Sequence, residues 1–163
     1  MNKEEVIQYL EGKGIPFDVM DHPAVYTIED MEKLHITDQG EVCKNLFLRD
    51  AKGKRHFLVT LLKDKRADLK QIQEQLGCTK LSFASEQRLQ TYLGLTKGSV
   101  TPLGILNDAE CCVEVVFDRE LIRKSRLGVH PNENTATLWI SFEDLLNLVK
   151  QHGNPIHMLD IEP

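Results

Sequence analysis

The chain has no C-x-x-C pair, no apolar run approaching the roughly 20 residues that a membrane-spanning helix needs, and no net positive charge. Each absence removes a class of function. Four scattered cysteines (Cys43, Cys78, Cys111, Cys112) in 163 residues do not make a disulfide scaffold, and without clustered Cys and His ligands no metal is expected. Cys111 and Cys112 are adjacent, so on a strand they would face opposite sides. All four read as reduced, mostly buried thiols. Cys43 has no activating His nearby in sequence, which argues against a thiol nucleophile. Met1 opens a charged, helix-like segment rather than a basic stretch followed by an apolar run, so a cytoplasmic protein with no membrane partner is expected. The G-x-S-x-G elbow, the H-E-x-x-H helix, the Walker loop and the dinucleotide fingerprint are all missing, which demotes the common enzyme classes and gives no reason to expect a cofactor. Internal repeats and low-complexity tracts are missing too.

What is present is enough for one core. At 41% apolar content, 163 residues can bury a substantial interior without metal or disulfide support, so residues 1–163 are read as a single domain. The net charge of -5 disfavours a phosphate partner until its distribution is considered. Between Lys44 and Lys70 nine basic residues face three acidic ones, a segment of +6 that leaves -11 for the rest. Such a segment suits either a solvated hairpin or a surface that meets the end of an RNA.

Asn2, with Glu5 at the third helical position, caps a helix that ends near residue 13, and Phe17 to Met20 reads as a short strand. His22-Pro23 breaks regular structure, and Thr27 opens a second short helix. Residues 42–49 and 55–62 form the best hairpin, with its turn at 50–54. Lys44 lies inside the first strand, a charge among Val42, Leu46 and Leu48; a lysine snorkelling at a sheet rim would look the same. A helix over 67–76, a short strand over 81–84 and a helix over 85–93 follow, then a glycine- and proline-containing loop from Gly94 to Asp108 that is too apolar for a linker. A buried strand over 112–117, a charged turn, a His-Pro-Asn segment from Gly128 to Ile140 and a capped helix from Ser141 to Gly153 complete the pattern. Strands and helices intermix without a regular alternation, which predicts an α+β domain around a mixed, partly barrel-like sheet flanked by helices.

The chemistry available is limited but coherent. Loop amides freed by glycine and proline can hold a carbonyl oxygen or a phosphate, a lysine can anchor a phosphate, and a histidine can donate, accept or shape a pocket. Among the carboxylates, Glu143 and Asp144 fit helix capping better than acid-base work. From the residues alone, the reading reaches a small-ligand or RNA-end pocket and no further.

Four segments then carry a resemblance: His22-Pro23-Ala24-Val25-Tyr26-Thr27, Cys43-Lys44-Asn45-Leu46-Phe47-Leu48, Gly98-Ser99-Val100-Thr101-Pro102-Leu103-Gly104, and the run from Gly128 to Thr137. In this order they resemble the bacterial prolyl-tRNA synthetase-associated editing family, the YbaK-like deacylases, over nearly the whole chain, and within it the alanyl-tRNA(Pro) deacylase branch called ProX or PrdX. The resemblance implies hydrolysis of the ester of mischarged Ala-tRNA(Pro). Lys44 would position the tRNA end with Asn45 beside it, and Gly98, Ser99 and Pro102 would form the loop against the aminoacyl ester. Gly128 would offer backbone to the pocket, His130 would line it, and Tyr26 and Thr27 would stand at its rim. The implied partners are the acceptor end of tRNA(Pro) and prolyl-tRNA synthetase, not DNA. Cys-tRNA(Pro) deacylation, and a non-catalytic module sensing aminoacyl-tRNA or a proline-related metabolite, remain alternatives.

Overall fold

The computed structural model describes residues 1–162. Asn2 and Glu5 form the expected capping box, each side chain bonding the other's backbone N–H, and start α1 (Lys3–Gly12), which buries Val6 and Leu10. β1 (Asp18–Asp21) follows. Thr27 accepts from the Asp30 N–H and starts α2 (Ile28–Lys33), and a 3-10 turn over Ile36–Asp38 leads into the hairpin of β2 (Glu41–Arg49) and β3 (His56–Leu62). α3 (Leu69–Leu76), the short β4 (Ser82–Phe83) and α4 (Glu86–Leu93) come next, the two helices ending on left-handed glycines, Gly77 and Gly94. β5 (Val113–Asp118), β6 (Leu127–Val129), β7 (Ala136–Ile140), α5 (Phe142–His152) and β8 (Ile156–Leu159) finish the chain.

These strands form one mixed sheet in the order β1-β7-β6-β2-β3-β5-β8, with β4 paired to β2 off that path. The α+β class with a mixed sheet flanked by helices is as the sequence predicts; the strand path is open, with β1 and β8 at its edges. Side-chain alternation along the central strands separates two cores. Phe47, Leu58, Val115 and Phe117 join α1, α4 and α5 on one face, while Leu48, Phe57, Val59 and Val116 pack with Ile72 of α3 and with Leu159 and Ile161 on the other. A third, smaller cluster of Val25, Met31, Ile36, Val42 and Trp139 seats α2 and the turn after it.

Three elements escaped the sequence reading. The apolar loop contains a buried 3-10 helix, Pro102–Asn107; the segment from Gly128 to Ile140 is a β6–β7 pair; and β8 lies beyond the last element expected. β6 carries a glycine where packing demands one. A Cβ on Gly128 would stand 2.6 Å from the Trp139 ring, and one on Gly40 would meet the same ring at 2.8 Å. Gly128→Ala is therefore expected to cost about 1–3 kcal/mol of stability through overpacking, read as a lower midpoint in urea unfolding.

Candidate active site

One stretch of β2 has no strand on its outer side, and the site is there. Along that edge β2 pairs with β6 at Glu41 and Val42 and with β4 at Leu48 and Arg49, leaving the residues between uncovered. The Lys63 N–H donates to the Val42 carbonyl and the Ala84 N–H to the Phe47 carbonyl. The antiparallel alternation therefore turns the main-chain groups of Asn45 toward the open side. A cavity of about 320 Å³ occupies this gap, at the small end of the range for ligand sites.

Its walls come from four places in the sequence. β2 supplies Cys43, Lys44 and Asn45; the loop and helix from Val25 to Met31 supply Tyr26 and Thr27; the loop after α4 supplies Gly98; and the end of β6 supplies Gly128 and His130. Two of these loops hold each other. The His22 N–H donates to the Thr135 carbonyl (2.9 Å), the Val25 N–H to the Asn134 carbonyl (3.1 Å), and Asn134 Nδ2 donates back to the Val25 carbonyl (2.8 Å). The His22 ring closes the clasp, with Nε2 2.9 Å from Thr137 Oγ1 and Nδ1 2.8 Å from the Pro23 carbonyl.

Lys44 and Asn45, adjacent on β2, leave opposite faces of the strand. The Lys44 ammonium donates to the Lys65 carbonyl, and burial lowers its pKa from the ordinary lysine value against a partial opposing pull from Asp64. The Lys65 ammonium is itself fixed by the buried Asp118 (2.6 Å) and by Glu120 (2.7 Å), which anchors the turn that carries the accepting carbonyl. Asn45 Oδ1 accepts from Thr60 Oγ1 at 2.7 Å, leaving its NH2 as a donor without a protein acceptor among the described residues. Cys43 is buried and its thiol pKa is pushed up to about 12, so it contributes a protonated, apolar wall and no nucleophile.

Gly98 has φ +93, a conformation that favours glycine, and a Cβ there would stand 3.0 Å from the Tyr26 ring. Neither the Gly98 nor the Val100 N–H has a protein acceptor among the described residues, whereas the Ser99 N–H is used by the Thr96 carbonyl. His130 Nδ1 lies 3.1 Å from the Ala136 carbonyl, which accepts, so the ring carries its proton there and leaves Nε2 as the acceptor. Burial, assisted by the nearby His22, lowers the His130 pKa despite the Ala136 bond.

The geometry gathers Tyr26, Thr27, Lys44, Asn45, Gly98, Gly128 and His130 around one cavity, but not Ser99 or Pro102. Ser99 is buried away from it. Pro102 starts the 3-10 helix whose Thr101 cap fixes the loop from behind. Gly128 also needs correction as an amide donor: it lies within β6 between β2 and β7, where its backbone serves the sheet. The nine basic residues between 44 and 70 do not act as one patch either. Lys52 and Lys54 sit in or beside the turn at the far end of the hairpin from Lys44, and Arg55 is bound bidentately to Glu114. Sequence reasoning missed the apolar wall of Val25, Ile28, Met31, Val42, Val100 and Val129. Only the i, i+3 spacing of Ile28 and Met31 in α2 signalled part of it.

The depressed histidines set an acid limit on stability. His130 and His56 are both lowered from 6.5 chiefly by burial, with Arg88 adding to the shift at His56. Between 6.5 and the lower folded values, the unfolded chain binds protons that the folded chain refuses, so stability falls as pH drops through that window and is unaffected by these groups above it. Unfolding midpoints at pH 5, 6 and 7.5 should show the drop, reduced in His130→Asn; an equal drop in that variant would remove His130 as a source.

A small cavity with an apolar wall, two free loop amides, a lysine and a neutral histidine has the chemistry to hold a carbonyl oxygen beside an anionic or hydroxylated group. Comparison with known proteins gives the class: residues 22–148 match the family described as the aminoacyl-tRNA editing domain, and the chain belongs to that family. The chain is 51% identical to the prolyl-tRNA editing protein ProX of Acetoanaerobium sticklandii, over 98% of this chain and 97% of that one. It is 29% identical over 102 residues to the multifunctional Ser/Thr-tRNA deacylase ProXp-y of Escherichia coli K12, covering 61% of this chain and 60% of the relative. A crystal structure described as a candidate trans-editing enzyme for prolyl tRNA synthetase shares the fold, with a TM-score of 0.76 at 20% identity over 100% of this chain and 98% of that one.

Proposed function

We propose that the protein is a trans-editing deacylase that hydrolyses the ester joining alanine to the terminal adenosine of proline tRNA, releasing alanine and an intact tRNA. The observation that carries this reading is the meeting of Lys44, the free amides of Gly98 and Val100, and a neutral His130 on one small cavity, in a chain 51% identical to a prolyl-tRNA editing protein. In this reading Lys44 holds a phosphate or ribose oxygen of the terminal adenosine, and the loop amides take up the charge that develops on the ester carbonyl when water attacks. His130 serves here as a wall of the amino-acid pocket rather than as the base. The substrate's own ribose 2'-hydroxyl orients or activates the water, and the ribose 3'-oxygen leaves with a proton. In this reading alanine is selected by size, with the apolar wall and His130 acting against the larger proline ring.

Two features support the ester as substrate over a purely sensing role. The free amides point to a developing oxyanion, and a relative that covers part of the chain is named a deacylase. That relative's name also keeps serine and threonine esters in view beside cysteine. The cytoplasm is the expected compartment, and prolyl-tRNA synthetase the expected partner in selecting the tRNA. Purified protein is to be incubated with alanyl-, cysteinyl-, seryl- and prolyl-tRNA(Pro). Rapid loss of alanine with prolyl-tRNA spared supports the proposal; preferential loss of cysteine or serine reassigns the specificity, and tight binding without any loss makes the protein a sensor.

A further inference from the structure

Among the described residues, Tyr26 is the most exposed of the large apolar side chains, at 69%, and the one of them that lines the cavity. The others, Met1, Leu34, Phe83 and Ile122, lie elsewhere on the surface. A single exposed ring is ordinary on a protein surface; what sets this one apart is that it lines a cavity. This ring is also held in place. The Tyr26 N–H donates to Asp30 Oδ2 (3.0 Å), the preceding residue is clasped by Asn134, and the following one caps α2. One edge of the ring rests on Gly98, where φ +93 and the 3.0 Å approach leave no room for a side chain. The glycine thus serves two ends: it frees the loop amides and seats the ring.

We infer that Tyr26 is a stacking platform for the base of the nucleoside that carries the aminoacyl ester. This rests on the proposed deacylase reading and adds a subsite to it. With the ester carbonyl at the Gly98 amides and the ribose near Lys44, the base leaves the cavity at its mouth, where Tyr26 is the aromatic surface available. Stacking on an aromatic ring is sequence-tolerant and strongest for large bases, so a purine is the natural occupant. The phenol hydroxyl is not needed.

The test uses binding rather than turnover, with an amide-linked probe that cannot be hydrolysed, 3'-alanylamino-3'-deoxyadenosine, and its counterpart with hydrogen in place of the base. Affinities for both are to be measured by calorimetry with the wild-type chain and with Tyr26→Ala, Tyr26→Phe and Tyr26→Trp. Removing the base should weaken wild-type binding by about tenfold or more, Tyr26→Ala should weaken adenosine-probe binding to the same extent, and in Tyr26→Ala removing the base should cost nothing further. Tyr26→Phe and Tyr26→Trp should bind as the wild type does. An equal cost of base removal in the wild type and in Tyr26→Ala overturns the inference, as does a loss in Tyr26→Phe matching that in Tyr26→Ala. Because the ring is exposed, the alanine variant should melt with the wild type. A wild type that shows the base dependence but hydrolyses no aminoacyl-tRNA would defeat the proposed reaction and leave the subsite standing.

Discussion

Lys44→Ala should slow hydrolysis of alanyl-tRNA(Pro) by about 10²–10³-fold or more, the loss seen when one charge-stabilising donor is removed from a preorganised site, with no measurable change in thermal midpoint. The two halves of this expectation have separate origins. Lys44 faces a cavity and is only half buried, and its ammonium has a single protein acceptor, the Lys65 carbonyl, so its removal opens no core void and orphans no buried charge. The turn that bears that carbonyl is held independently by Lys65 with Asp118 and Glu120. Lys44 nevertheless lines the cavity in which, in the proposed reading, the substrate sits. Arginine should not restore activity, since its planar fork cannot reproduce a point charge fixed by one carbonyl. Single-turnover rates with a parallel melting curve decide the matter: full turnover in Lys44→Ala removes the lysine from the reaction, and a collapse of the melt gives it a structural role instead.

His130→Ala should have the second largest effect, and on discrimination rather than on rate. The ring lines the cavity wall and is oriented by its Nδ1–H bond to the Ala136 carbonyl. Truncation to a methyl group enlarges the space in which the amino acid sits, and the prolyl ester, excluded by size, should gain access. Proline carries two more carbons than alanine, closed into a ring, so in the proposed reading its rejection rests on the wall that this truncation removes, and most of the preference for alanine over proline is expected to disappear. The ratio of hydrolysis rates for alanyl- and prolyl-tRNA(Pro) is the readout. An unchanged ratio assigns selection to the remaining wall, chiefly Ile28, Met31 and Val129. The Ala136 carbonyl loses its partner in this variant, so a modest drop in stability should accompany the change.

The sequence was most informative where local chemistry decides structure. The capping box at Asn2, the Thr27, Ser85 and Ser141 caps and the β2–β3 hairpin all follow from residues close in the chain, and their observed limits lie within a residue or two of those expected. β8 was illegible because Ile156 to Leu159 is short and weakly patterned, and it becomes a strand only by pairing with β5 far back in the chain. The β6–β7 pair was hidden for a related reason: a glycine and a histidine-proline step read as loop, and only the Trp139 ring explains why a strand tolerates Gly128. At the site, polar residues that stand out in sequence were found, while the apolar wall was not, since nothing local separates a valine lining a cavity from one in a core. Ser99 and Pro102 were placed against the substrate because they belong to the same short motif as Gly98. A motif, however, records what a loop needs in order to fold as well as what it touches, and neither of these two residues lines the cavity.

The clasp between the His22–Val25 and Asn134–Thr137 segments bears on how this protein can be altered. Neither segment is anchored on its own strand alone, so a loop exchange that transplants the His130 segment into a relative would arrive without the surface that shapes it. Both segments would have to travel together for specificity to follow. In a library varied at His22 and Thr137, functional members should accordingly appear as matched pairs, with most single replacements lost.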